Sequence, residues 1–153
     1  MFYQYIMKGG KAVRHGKNFE NSTLFKKRIK GIRVLRQYEF KKYFQKTIRL
    51  PDEAFINERS KTIKILEKKS QSVNGSVETK LWAGPALKRE YELMYPKYKI
   101  DYAFCISNFL KEKINSNCPK YKNLKQILKE NNIKIFYGDS KGYFKIIEKW
   151  IKE

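Results

Sequence analysis

The chain has 153 residues, of which 41% are hydrophobic and 15% aromatic, and its 35 Lys and Arg against 15 Asp and Glu give a net charge of +20. The hydrophobic content excludes an intrinsically disordered protein, and the length is that of one domain with its own core. Because so many cations repel each other in a compact fold, the charge indicates a polyanionic partner such as a nucleic acid. An AT-rich genome, which enriches Lys, Asn, Ile and Tyr, is the alternative explanation of this composition.

No segment approaches the ~20 apolar residues of a membrane span, and the basic residues near the start follow the apolar ones, which is the reverse of a signal peptide. Cys105 and Cys118 lack the spacing of a metal site. With the single histidine His15, the chain is not expected to hold zinc or to use a Ser-His-Asp triad. We expect a cytoplasmic protein of a reducing compartment, with no membrane partner and with both thiols used in packing.

The first thirty residues are expected to form a flexible arm and one helix. Residues 1–16 contain three glycines among basic side chains, which favours the arm. Asn18 or Asn21 can cap a helix that runs to about Ile29, and Gly31 is placed to end it.

Strands are predicted for the residues that follow. Between Ile32 and Ile48 the apolar residues fit a strand or a helix, and we predict a strand. Asp52–Ile56 and Thr62–Lys69 have clearer strand patterns, and the polar turn 57–60 is suited to join them as a hairpin.

The second half of the chain alternates between helices and strands. Ser76 is a good N-cap for a helix with an apolar face up to Met94, which Pro85 should kink or restart. The period of two in Lys99–Ser107 predicts a strand.

A lysine-rich helix near Lys120–Glu130, a short strand at Ile133–Tyr137 and a last helix capped by Asp139 or Ser140 complete the chain. The order of elements predicts an α/β (α+β) protein with a mixed β-sheet flanked by helices.

The predicted hairpin brings two carboxylates and a lysine together. Glu67 and Lys69 share one face of their strand, and Asp52 begins the neighbouring strand ~4.8 Å away. Carboxylates this close repel each other unless a cation separates them, and Mg²⁺ prefers hard oxygen ligands with room for water and phosphate. The ion would polarise a phosphodiester and activate water, and Lys69 would stabilise the transition state or help to deprotonate the water. Alternatively, Glu-x-Lys is a solvated strand face, as it usually is in lysine-rich chains.

The stretch PDEAFINERSKTIKILEKKSQSVNGSVETKL resembles the core of the PD-(D/E)XK nuclease superfamily, in particular its small type II restriction endonucleases. The similarity extends from about Gly10 through the final helix. It implies one nuclease domain over 1–153 with a restriction-endonuclease-like αβββαβ core. By this resemblance Asp52, Glu67 and the backbone carbonyl of Lys68 bind the metal, and Lys69 is catalytic.

The resemblance extends to residues outside the trio. Glu20 of the first helix is a further candidate for the metal site, and an ordinary helix glutamate is the alternative. Gln71 resembles a polar residue of the family's active site. Alternatively, it only provides hydrogen bonds for the end of the strand. The backbone N–H groups of residues 74–76 are expected to meet a phosphate at a helix N-terminus, and Trp82 is a candidate for DNA contact or for the core. Residues expected to contact DNA are Arg14, Lys17, Ser76, Lys80, Lys88 and Arg89.

The expected function is hydrolysis of double-stranded DNA by a Mg²⁺-dependent type II restriction endonuclease, with Mn²⁺ able to substitute. A homodimer is expected because two-fold symmetry matches a palindromic site, and a companion methyltransferase belongs to such systems. A structure-selective repair or junction nuclease would share the trio, and a non-catalytic nucleic-acid-binding protein is the second alternative.

Overall fold

The computed structural model describes residues 14–45 and 49–153. Helices and strands are numbered in chain order, and α1 covers 14–22 within the described residues. The other elements are β1 (Arg33–Arg36), α2 (Gln37–Phe44), β2 (Glu53–Asn57), β3 (Thr62–Lys69), α3 (Thr79–Trp82), α4 (Gly84–Met94), β4 (Lys99–Ile106), α5 (Asn108–Ile114), α6 (Pro119–Glu130), β5 (Ile133–Tyr137) and α7 (Tyr143–Lys152).

One mixed sheet contains the strands in the order β1-β2-β3-β4-β5. The first three are antiparallel neighbours, whereas β4 and β5 run parallel to β3 after helical connections. Glu53 pairs with Leu66, and Glu67 pairs with Phe104. The expected mixed α/β architecture, a sheet flanked by helices, is confirmed.

The alternation of side chains along the strands divides the core into two layers. On one face, Ile65 and Phe104 belong to an apolar cluster that also contains residues of α2 to α6. On the other face, Leu66 and Phe55 pack with α1, the segment 23–30 and α7. Each fully buried side chain of this size contributes about 1.5–3 kcal/mol, so both layers hold the sheet and fix its register.

Five elements lie within one residue of their predicted bounds, namely β2, β3, β4, α6 and β5. Pro85 stands in the first turn of α4 and restarts the helix there, as predicted. None of the helices within 14–45 and 49–153 is long and apolar enough to cross a membrane.

The first helix differs from its prediction at both ends. Residues 14–16 are already helical rather than part of an arm, and 1–13 lie outside the described residues. The helix stops at 22, and the Phe25 N–H, which a continuing helix would direct to the Asn21 carbonyl, donates instead to the Glu53 carboxylate at 3.1 Å. Gly31 is therefore no helix cap, and its φ of +79° serves the turn into β1.

The region 32–48 is a strand only in its first part, because β1 passes directly into α2. The Glu39 carboxylate accepts the Arg36 N–H at 2.9 Å, which supports the start of this helix. Residues 46–48 lie outside the described residues.

In the second half of the chain, the predictions for three helix caps and one thiol were wrong. Ser76 does not cap a helix; its carbonyl accepts the Thr79 N–H in a turn before α3. The last helix begins at Tyr143, beyond Asp139 and Ser140, and Asp139 instead accepts the N–H of Asn108 at 2.8 Å where α5 begins. Helix α5 itself was not predicted. Cys105 is buried as expected, whereas Cys118 is exposed.

Candidate active site

The trio lies where β2 begins and β3 ends. Continuing the register by one step from the Glu53–Leu66 pair sets Asp52 opposite Glu67. The Asp52 carboxylate accepts the backbone N–H of Lys68 at 2.7 Å, and the Lys69 ammonium lies 3.3 Å from the Glu67 carboxylate. The structure thus brings Asp52, Glu67 and Lys69 together on the strand ends.

Glu67 is held in an environment that opposes its negative charge. Burial raises its pKa to about 7, and the nearby Asp52 adds repulsion, while Lys69 acts in the opposite direction. Burial raises the pKa of Tyr91 and of Tyr102, and the charge of Glu67 raises both further. Neither hydroxyl has a hydrogen-bond partner among the described residues. Two close carboxylates of this kind share a proton or require a cation.

A third carboxylate belongs to the same neighbourhood. Burial raises the pKa of Glu20, and the charge of Asp52 raises it further, whereas Lys68, Lys69 and Lys17 oppose the shift. The Lys68 ammonium donates to the Glu20 carbonyl at 3.1 Å, so helix α1 ends beside the end of β3. Glu20 therefore lies near the trio, and Lys17 is placed on the same helix.

The acidic pair fits a magnesium ion in the chemistry of its donors. Among the described residues, no group of three or more His, Cys, Asp and Glu side chains is arranged to hold a metal. Mg²⁺, however, is commonly bound through one or two carboxylates, with water and substrate phosphate as its other ligands. Asp52 and Glu67 would hold the ion, and the role predicted for the Lys68 carbonyl stays a prediction.

Gln37, Glu53 and the side-chain role of Lys68 were not found from the sequence. Gln37, in the first turn of α2, donates to the other oxygen of Asp52 at 3.3 Å. Glu53 and Lys68 form a buried ion pair on the opposite face, 2.5 Å apart. Strand alternation could have revealed this pair, because Glu53 shares a face with Phe55, and Lys68 shares one with Leu66.

Gln71 and the loop after β3 adjoin the site and form hydrogen bonds with Ser107 and with Lys113 of α5. The Gln71 N–H donates to the Ser107 hydroxyl at 3.2 Å, and its side-chain amide donates to the Val73 carbonyl at 2.7 Å. Lys113 of α5 donates to Asn74 at 3.2 Å. Residues 74–76 do not form a helix N-terminus, because α3 begins at Thr79 and has only four residues.

The predicted DNA-contacting residues fall into two groups. Arg14 and Lys17 lie on α1, and Ser76 and Lys80 are exposed in or after the loop that adjoins the site. Trp82 is partly buried against the core cluster.

Lys88 and Arg89 lie on α4 and line a cleft of about 800 Å³ at the opposite end of β4. Both contact Glu92, at 4.0 Å and 3.0 Å. Lys99 of β4 lines this cleft, whereas Phe104, the strand partner of Glu67, lies five residues further along β4. Five residues of a strand span roughly 17 Å. The structure does not bring these two cations together with the trio.

Comparison of the chain with protein-family models, with curated proteins and with solved structures finds no match.

Proposed function

We propose that this protein is a Mg²⁺-dependent DNA endonuclease whose active site consists of Asp52, Glu67 and Lys69. The observation that carries the proposal is the pair of adjacent carboxylates, one of them partly buried with its pKa raised to about 7, beside an ammonium group 3.3 Å away. An ordinary ion pair on a solvated strand face needs one carboxylate, whereas here two carboxylates lie side by side and repel each other. The net charge of +20 supports a polyanionic substrate.

Each residue has a distinct part in the proposed hydrolysis. The bound metal would polarise the scissile phosphate and lower the pKa of the attacking water. Asp52 is oriented by the Lys68 N–H and Gln37, and Glu67 by Lys69, so both carboxylates are positioned before a ligand arrives. The Lys69 ammonium would neutralise charge that develops on the phosphate oxygens.

The more specific part of the proposal is a type II restriction endonuclease of the PD-(D/E)XK superfamily that acts in the cytoplasm as a homodimer. The succession of a helix, three antiparallel strands and a further parallel strand after a helix supports it, as does the motif PD followed by EKK. Two-fold symmetry would match a palindromic duplex site, and a methyltransferase would protect the host DNA.

Incubation with supercoiled plasmid in Mg²⁺, Mn²⁺ or EDTA tests the proposal. We expect discrete fragments with either metal, none in EDTA, and loss of cleavage in Asp52→Asn and Glu67→Gln. Lys97→Met serves as control, since Lys97 is exposed at the far end of the sheet. If the protein cuts only branched or single-stranded DNA, it is a structure-selective nuclease and not a restriction endonuclease. Binding without any cutting would leave a non-catalytic nucleic-acid-binding protein.

A further inference from the structure

Lysines are concentrated on α5 and on the first half of α6. The segment 108–125 contains five Lys against one Glu. Four of these lysines contact aromatic rings or side-chain amides, and they are called the α5–α6 lysines: Lys111, Lys113, Lys120 and Lys125. Local charge of one sign on this scale indicates a polyanionic partner.

Helix α5 begins at the strand ends that carry the trio. The Ser107 N–H, just before the helix, donates to the Lys69 carbonyl at 3.2 Å. Lys69 pairs with Ile106 of β4, and Ile106 pairs with Tyr137 of β5. Tyr137 therefore lies on the same face of the sheet as Lys69, about 10 Å away across two strand spacings. Lys111 Nζ lies 4.8 Å from the centre of the Tyr137 ring, so this lysine is at the same end and face of the sheet as the trio.

Two of the lysines are oriented by groups that carry no charge. Lys111 lies over the Tyr137 ring, and Lys125 donates to the side-chain carbonyl of Asn115 at 3.3 Å. Asn115 in turn donates to the Tyr137 hydroxyl at 3.3 Å, which connects the two contacts. Neutral partners orient an ammonium group without cancelling its charge, and side chains that are already ordered lose less entropy when a ligand binds.

The other two lysines share one carboxylate. Lys113 and Lys120 lie 3.4 Å and 3.3 Å from Glu78, whose carboxylate also accepts the Tyr121 hydroxyl. Lys113 donates in addition to Asn74 at 3.2 Å. Two cations against one carboxylate leave a net positive charge. These contacts also attach the loop that adjoins the site to both helices.

The cations at the opposite end of the sheet are neutralised by neighbouring acids. In the cleft there, Arg89 lies 3.0 Å from Glu92, and Lys134 lies 2.8 Å from Glu153. A polyanion would have to compete with these carboxylates and would lie far from the trio. Charge complementarity to a DNA backbone therefore favours the α5–α6 lysines over the cleft.

We propose that the α5–α6 lysines bind the phosphate backbone of duplex DNA beside the bond that is cut. The inference rests on the proposed function for the position of that bond. One DNA strand carries a phosphate about every 3.4 Å along the axis, so a cation about 10 Å from the reacting phosphate meets the backbone roughly three base pairs away. Backbone contacts of this kind fix the register and orientation of the duplex without reading its bases.

The test compares two double variants that remove the same charge. Lys111→Gln/Lys125→Gln removes the two lysines with neutral partners, so Glu78 keeps both of its cations. The matched control is Lys145→Gln/Lys149→Gln on α7, because these two lysines are exposed and α7 packs on the other face of the sheet. Lys111→Arg/Lys125→Arg keeps the charge and should bind DNA as wild type does.

Fluorescence anisotropy of a short labelled duplex measures binding in EDTA, where no cleavage is expected, from about 50 to 200 mM salt. Each phosphate contact contributes about 0.9 to the slope of log affinity against log salt. We expect the magnitude of this slope to fall by about two in Lys111→Gln/Lys125→Gln and to stay at the wild-type value in the control. Equal slopes in the two double variants would overturn the proposal, because the positive charge would then act without regard to position.

Glu78→Gln tests the other two lysines in the opposite direction. The amide keeps an acceptor for Tyr121 and removes the negative charge beside Lys113 and Lys120. DNA binding should therefore tighten about threefold or more at low salt. Weaker binding by Glu78→Gln would show that Lys113 and Lys120 only hold the loop and do not meet phosphate.

The surface and the nuclease function can fail separately. A wild-type protein that binds duplex DNA through Lys111 and Lys125 but never cuts it in Mg²⁺ or Mn²⁺ would refute the proposed function and keep the surface. A protein that cuts DNA while its salt dependence is unaffected by Lys111→Gln/Lys125→Gln would refute the surface alone.

Discussion

The backbone N–H of Lys68 donates a 2.7 Å hydrogen bond to the carboxylate of Asp52, so the strand that carries Glu67 and Lys69 also orients the acidic residue of its neighbour. Because the donor is a main-chain group between those two residues, Asp52 is held in register with both. The orientation exists before any ligand binds, which is how preorganised sites avoid a reorganisation cost. Conservative changes to the site's side chains should therefore alter chemistry more than fold.

Lys69→Met is expected to lower DNA cleavage about 10²- to 10³-fold, because its ammonium is the one placed to stabilise charge beside Glu67. DNA binding should change little. Single-turnover cleavage with enzyme in excess measures the chemical step, and the exposed Lys97→Met variant controls for general loss of positive charge. A Lys69→Met protein that cuts at the wild-type rate would remove this lysine from the mechanism.

Glu67→Gln is expected to stabilise the metal-free protein at pH 8 by about 1–3 kcal/mol. The folded-state pKa of Glu67 is raised from 4.5 to about 7. Its protonated form therefore contributes stability that is full below pH 4.5 and is lost as the pH rises through about 7. The glutamine cannot ionise and avoids this loss.

Urea unfolding in EDTA from pH 5 to pH 8 measures the effect, and the difference between variant and wild type should grow with pH. Saturating Mg²⁺ should stabilise wild type and not the variant, since the ion replaces the missing proton. An equal difference at all pH values would mean that Glu67 has an ordinary pKa.

Gln37→Ala is expected to raise the Mg²⁺ concentration for half-maximal cleavage about tenfold, since Gln37 donates to the Asp52 oxygen that Lys68 leaves free. Gln37→Glu should be worse at low Mg²⁺ because it replaces a donor by a negative charge. Lys41→Ala, exposed on the same helix, is the control. Unchanged Mg²⁺ dependence in both Gln37 variants would show that Asp52 needs no second donor.

Gly138→Ala is expected to destabilise the protein by about 1–3 kcal/mol, because a Cβ there would lie 2.6 Å from the Phe19 ring and 2.7 Å from the Thr23 methyl. Gly142→Ala provides a matched control, since its Cβ would meet nothing within 4 Å. Thermal unfolding of both variants measures the effect, and an unchanged midpoint in Gly138→Ala would show that the Phe19 ring can move aside.

The strands were predictable because their signal is local. β3 and β4 are long enough for alternation and β-branched residues to reveal them, and both lie at their predicted bounds within one residue. Helix ends were not predictable, since several polar residues compete for each cap. Asp139 could serve its own helix in sequence terms, yet its carboxylate reaches the N–H of Asn108 on a different helix.

The candidate site divides in the same way. The sequence by itself was sufficient to predict that Asp52, Glu67 and Lys69 would meet, because a hairpin sets the two strands side by side and a period of two puts Glu67 and Lys69 on one face. Only the tertiary structure decided that Lys88 and Arg89 lie at the opposite end of the sheet, and that Gln37 and the buried Glu53–Lys68 pair support the site. Spacing along a strand fixes which face a side chain occupies, whereas the approach of a helix from elsewhere in the chain depends on the packing of the whole core.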